Sequence, residues 1–158
     1  MLGYLRRGEA NVVRIHECEG SGPWHPQPNG DLWEIDRQSK YLIGLQAGLW
    51  NKTALRASLR RHESPWQLEI FGSRRARRSL PGVYCVNRER FSGAGKELFP
   101  YTATGVVGGR WARDIVVPLF EREGIAVDFS RRGFYDGKAP RKKDPLTKRV
   151  ADRLRSLF

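Results

Sequence analysis

The densest run of chemistry-bearing side chains is His62-Glu63-Ser64-Pro65-Trp66-Gln67-Leu68-Glu69. Ser64 can cap a helix, Pro65 suits its first position, and Gln67 completes a capping box. A capped start fixes the backbone, so a carboxylate at Glu69 has a defined place in the second turn. In a cleft it can accept a proton from a hydroxyl, and the helix N-terminus keeps it ionised. Trp66 offers a flat apolar face suited to a sugar ring. The competing reading pairs Glu69 with Arg74 or Arg75 on the surface, and local pattern alone favours that pairing.

Other constellations are weaker. His16, Cys18 and His25 lie close together, with Glu17, Glu19 or Asp31 as a fourth ligand, but their spacing matches no common zinc pattern. Cys85 sits in an apolar run and reads as a buried structural thiol rather than a nucleophile. Gly105, Gly108 and Gly109 do not form a Walker or Rossmann phosphate loop.

The elements that must carry these residues form an α/β alternation. The 158 residues, 39% of them hydrophobic and 11% aromatic, predict one folded domain rather than a disordered chain. Leu2, Leu5 and Gly8 read as a helix end. Residues 11–15 (NVVRI) read as a strand and 17–40 as a long irregular segment holding Trp24 and Trp33. Residues 41–50 (YLIGLQAGLW) read as a buried strand, entered tightly by a neighbour or ligand at Gly44, Ala47 and Gly48. Asn51 is a predicted cap for a helix through Leu55 and Leu59. A helix from Pro65 is expected to be weakened at Gly72, and residues 82–86 read as a strand. Residues 101–107 and 125–129 also read as strands. They flank a helix over 111–123 that Pro118 interrupts or kinks. A last amphipathic helix starts after Asp144-Pro145.

The formal net charge of +12 is unevenly spread: residues 56–78 carry +5 and 138–158 carry +6. Such stretches suit phosphates of a nucleotide, a nucleic acid or a lipid surface. Two cysteines point to a reduced, cytoplasmic setting. The first twenty residues read as no secretory signal, and no run approaches a membrane span.

The run YLIGLQAGLWNKTALRASLRRHESPWQLEIFGSRRAR resembles the second half of bacterial and phage glycosyltransferase-like proteins of the GT-A, nucleotide-diphospho-sugar transferase type. VVGGRW (106–111) and EREGIAVDFSRRG (121–133) resemble later blocks of the same family. The resemblance spans about residues 10–134. It implies a partial GT-A-like mixed sheet with flanking helices, residues 1–135 forming the acceptor side and 136–158 a basic linker and helix. It implies transfer of a sugar from a nucleotide-sugar to a hydroxyl of a glycan or other acceptor. Glu69 then matches the general base, with Glu63 second. Trp50, Trp66 and Gln46 border the acceptor, and Arg110, Arg131 and Arg132 meet diphosphate.

Family members carry an Asp-x-Asp motif for Mg²⁺ or Mn²⁺ in their first half, and this sequence has no Asp-x-Asp. The resemblance therefore puts the nucleotide-binding half and the metal ligands outside this chain, with Met1 near the middle of a typical member. Weak donor binding, no turnover alone and self-association are the expectations. The alternative is a non-catalytic basic module that holds nucleic acid or an anionic surface, such as the inner face of a membrane. Against nucleic acid, the charge is not interleaved with aromatics. Removing residues 138–158 is expected to leave the fold intact and to weaken salt-dependent binding to anionic vesicles. Equal binding of both chains at low salt refutes it.

Overall fold

The apolar run around Val12 builds the centre of a five-stranded sheet. β1 (Val12–Arg14) lies between β5 (Val83–Val86), to which it is parallel, and β4 (Gly48–Trp50), to which it is antiparallel. β3 (Leu32–Ile35) pairs antiparallel with the other side of β5, and β2 (Trp24–Pro26) forms the far edge. The strand order is β2-β3-β5-β1-β4, so the chain is mixed α/β with a mixed sheet and flanking helices. The structure, a computed structural model, describes residues 1–16, 21–28, 30–91, 95–98, 104–137 and 146–155. These fall into two compact units, Met1–Phe99 with Pro145–Phe158, and Pro100–Asp144.

Successive strand residues face opposite ways, so Val12 and Val13 enter different cores. Val12, Ile35, Val83 and Cys85 meet Leu42, Ile43, Leu68, Ala76 and Leu80. On the other face Val13, Leu32 and Ala10 meet Tyr4 and Leu5 of α1 (Leu2–Arg6). Each fully buried Leu, Ile or Val contributes on the order of 1.5–3 kcal/mol.

The first face is covered by helices whose starts the side chains dictate. Asn51 Oδ1 accepts from the backbone N–H groups of Thr53 and Ala54 and opens α2 (Lys52–Ser58). Ser64 and Gln67 form the expected capping box at α3 (Pro65–Gln67). The helix then passes through a π-helical turn (Leu68–Gly72) into α4 (Ser73–Ser79) without a break. Gly72 does not weaken it. A Cβ at Gly72 would stand 2.7 Å from Leu68 Cδ1 and 2.9 Å from Ile43 Cδ1, so this glycine is a close contact, not a stop.

Three further expectations change. Residues 41–50 do not form one strand: only Gly48–Trp50 pairs, although Leu42 and Ile43 are buried. Their backbone is satisfied instead by Ser73, whose Oγ accepts from Ile43 N–H and donates to Ile43 C=O. Residues 17–40 include the β2–β3 hairpin. At its end the Gln38 N–H, and then His25, hold the Asp36 carboxylate below its ordinary range. Residues 125–129 form no strand, because the Asp128 side chain accepts from Ser130 N–H and starts a 3₁₀ turn at Phe129–Arg131. Residues 101–103 lie outside the described residues.

In the second unit β6 (Val106–Val107) and β7 (Arg110–Trp111) make a hairpin around Gly108 and Gly109, both at positive φ. Between the preceding strand and this unit lies α5 (Arg88–Phe91), which belongs to the first unit. α6 (Arg113–Arg122) runs through Pro118 to Gly124, which is left-handed at φ 63°. Trp111, Phe120, Phe129 and Phe134 pack ring against ring. The guanidinium of Arg113 lies 3.8 Å from the centre of the Phe134 ring. In the first unit Asp152 of α7 (Leu146–Arg155) accepts from Gln67 Nε2 at 2.8 Å, so removing α7 uncovers that amide. No helix among the described residues is long and apolar enough to cross a membrane.

Gly82 turns the chain into β5 at φ 64°, and a Cβ there would lie 2.7 Å from Glu9 C=O. Its own C=O accepts from Asn11 N–H at 2.8 Å, which aligns β1 with β5. Gly82→Ala is therefore expected to destabilise the protein by about 1–3 kcal/mol, read from urea denaturation. An unchanged midpoint refutes it.

Candidate functional site

The segment 41–45 lies beside the helix that begins at Pro65, and two contacts bring them together. The Tyr41 and Trp66 rings are 6.3 Å apart and tilted by 55°. Leu45 N–H donates to Glu69 Oε1 at 2.9 Å. Trp66 and Glu69 are three residues apart, a spacing that puts both on one helix face. The result is a strip of surface with an aromatic pair at one end and a carboxylate at the other.

Each end has a defined character. Trp66 is 62% exposed, an unusual state for tryptophan in a folded chain. Lys40 Nζ lies 5.2 Å from the Tyr41 ring centre, within range of a cation–π contact. Glu69 is half-buried in the π-helical turn. Such turns insert an extra residue and recur at functional sites. One Glu69 oxygen is held by Leu45, and the other has no partner among the described residues. Glu69 pairs with neither Arg74 nor Arg75.

The ion pair that the arginines do make belongs to Glu63. Arg75 grips it with both forks, Nη1 to Oε1 at 2.6 Å and Nη2 to Oε2 at 2.7 Å. The Glu63 side chain is 1% exposed. Its two oxygens are thus engaged, and it stands away from any acceptor hydroxyl. Trp50 lies on β4 and packs on the core rather than beside Trp66. Gln46 follows Leu45, and its Oε1 is buried with no hydrogen-bond partner.

Arg110, Arg131 and Arg132 all belong to the second unit. Arg110 stands 4.0 Å from Asp136, and Arg132 lies over Trp111. Of the expected site residues, Trp66 and Glu69 are therefore the two whose contacts with segment 41–45 bring them together.

Among the described residues no group of three His, Cys, Asp or Glu side chains could hold a metal ion. The described residues thus offer no three-ligand protein cage for Mg²⁺ or Mn²⁺. His25 meets Asp36 at 3.1 Å, while Cys18, Glu17 and Glu19 lie outside the described residues. Cys85 is buried in β5.

Two residues of the site escape sequence reasoning. Tyr41 looked like the start of a strand. Arg14 falls within the strand read over 11–15, and it is buried beneath segment 41–44. The signal was its charge inside an otherwise apolar run.

Removing one partner of a buried pair leaves the other charge uncompensated. Glu63→Ala is expected to cost roughly 3–5 kcal/mol of stability, measured by thermal and denaturant unfolding. A loss below about 1 kcal/mol, the range of exposed pairs, contradicts that burial.

No family model, no curated protein and no solved structure matches the chain.

Proposed function

We propose that this chain carries the acceptor side of a glycosyl transfer, with a GT-A-like relationship as its background. The observation that supports it best is the Glu69 carboxylate. One oxygen is anchored on Leu45 N–H and one has no partner among the described residues, three residues from the exposed Trp66. A sugar acceptor lies against Tyr41 and Trp66, where apolar ring faces meet the aromatic rings. Its hydroxyl points towards Glu69 Oε2.

The chemistry balances with one proton. The acceptor oxygen attacks the anomeric carbon of a nucleotide-sugar and forms the new C–O bond. The bond to the nucleotide diphosphate breaks, and the diphosphate leaves with the electron pair. The hydroxyl proton passes to Glu69, which acts as general base. The anchored oxygen limits rotation of the carboxylate, so little reorganisation is needed when the proton moves.

The basic run of α4 is a poorer basis for a phosphate-binding module. Arg75 is bound to Glu63, and Arg77 Nη2 donates to the carbonyls of Gln38 and Ser39. Arg74 lies over Phe71. Arg75 and Arg77 are thus committed to the fold, which leaves Arg74 and Arg78 as the exposed cations of α4.

Glu69→Gln is the informative substitution, because a glutamine oxygen can still accept from Leu45 N–H while the base is lost. With UDP-, GDP- or dTDP-sugars and a donor-binding half supplied, turnover is expected to fall on the order of 10²–10⁴-fold. Neutral oligosaccharides are expected to shift the fluorine-labelled Trp66 resonance of the chain itself, in parent and Glu69→Gln alike. Oligosaccharides that leave Trp66 unmoved overturn the reading, as does parental turnover by Glu69→Gln.

A further inference from the structure

Arg14 is the last residue of β1 and is 4% exposed. It shares a strand face with Val12, so its side chain rises towards segment 41–44. Nη1 donates to Tyr41 C=O at 2.7 Å. Nη2 is buried with no hydrogen-bond partner. Among the described residues no carboxylate makes an ion pair with it. A guanidinium is always charged and carries five N–H donors. Burying one without a counter-charge is strongly unfavourable. Buried polar groups in native proteins are nearly always satisfied, so an orphaned one calls for a cause.

The surroundings keep this charge in place. A Cβ at Gly44 would stand 2.8 Å from Nη2 and 3.0 Å from Cζ, so a side chain at this position would push the guanidinium from its place. Arg14 also sits opposite Cys85 of the parallel strand β5. The carboxyl ends of parallel strands are where open α/β sheets take their ligands. Two residues beyond Gly44, Gln46 Oε1 is also buried without a partner. The stretch 44–46 covers Nη2, and the hydrogen bond that ties it down is Leu45 N–H to Glu69. Access to Nη2 breaks that hydrogen bond, while Ser73 still holds Ile43 and the Ile15 and His16 N–H groups still hold Ala47 C=O on either side.

We propose that Arg14 is the anchor of an oxyanion-binding site beneath segment 44–46, taking a phosphate or carboxylate group of a ligand. A planar fork offers two parallel N–H donors to such a group. The ligand supplies the counter-charge that the fold leaves out. The site does not depend on glycosyl transfer, because it needs neither Glu69 as a base nor a donor sugar.

The test uses the full chain with inorganic pyrophosphate, inorganic phosphate and malonate, at ionic strength held constant with chloride. Binding is read by calorimetry and by the rise in Tm. The parent is expected to bind one of these saturably, and the phosphate and malonate arms tell the two ligand classes apart. Arg14→Met is expected to weaken binding at least about tenfold, and to match or exceed the parent in Tm, since an apolar residue suits the buried position. Gly44→Ala, whose methyl displaces the guanidinium, is expected to weaken it likewise. Arg14→Lys keeps the charge but loses the fork and should fall between. Glu69→Gln, whose neutral oxygen holds Leu45 N–H less strongly than the carboxylate does, should bind the anion at least as tightly as the parent, which separates this site from the transfer reading. Equal binding by parent, Arg14→Met and Gly44→Ala overturns the proposal, because the anion then sits elsewhere on a basic chain. A parent that binds no oxyanion above chloride also overturns it. Should Arg14→Met not fold, Gly44→Ala and Arg14→Lys decide.

Discussion

A single hydroxyl holds the candidate site together. Ser73 Oγ takes the N–H of Ile43 and returns a hydrogen bond to the C=O of the same residue, with both residues fully buried. Segment 41–45 has no strand partner, so its backbone would otherwise enter the core unsatisfied, which buried structure rarely tolerates. With Ile43 locked, the residues on either side have little freedom. Tyr41 is set against Trp66, Leu45 presents its N–H to Glu69, and Gly44 lies over Arg14. The absent Cβ of Gly72 lets the helix come close enough for that hydroxyl to reach. Ser73 and Gly72 thus act as one device: the glycine sets the distance and the serine the register.

Around this device the polar groups divide into those that are matched and those that are not. Glu63 and Arg75 meet fork to fork, Arg37 and Arg77 reach the carbonyls of Arg77, Gln38 and Ser39, and Asn51 caps α2. Matched groups of this kind rigidify a fold, since each loses water and regains a partner. Arg14 Nη2 and Gln46 Oε1 do not fit that scheme. Both face or belong to the segment that Ser73 fixes. Buried donors without a hydrogen-bond partner also occur at Trp24 Nε1, Arg77 Nε and Trp111 Nε1, and Arg14 stands apart from them as a guanidinium only 4% exposed.

Much of this was legible from local signals, and the rest needed long-range contacts. The Asn51 cap and the Ser64–Gln67 capping box depend on neighbours within three residues, so the residue types alone predict them. The small residues in 41–50 correctly signalled close approach, with Arg14 at Gly44 and the Val13 carbonyl at Gly48. The strand reading of 41–47 failed because an apolar run reports burial, not pairing, and Ser73 meets the backbone from thirty residues away. Glu63 and Glu69 have equivalent-looking positions around the cap. Only the fold separates them, since the arginine that satisfies Glu63 is twelve residues on. Residues 125–129 alternate like a strand, and a local Asp128–Ser130 turn outcompetes the ladder.

The π-helical turn follows from having both ends of one helix docked independently. At the N-terminal end Ser64 caps, Trp66 meets Tyr41 and Gln67 reaches Asp152. At the C-terminal end Ala76 and Leu80 enter the core and Arg75 must face Glu63. A regular α-helix fixes the rotation between such ends by its length alone. Where the two sets of contacts demand a different rotation, one extra residue in a widened turn absorbs the mismatch. Leu68–Gly72 is that turn, and it includes the glycine that tolerates close packing. Glu69 lies in the widened turn, and its carboxylate accepts from Leu45 N–H. The same turn thus carries a carboxylate that pairs with neither Arg74 nor Arg75 and has one oxygen without a partner among the described residues.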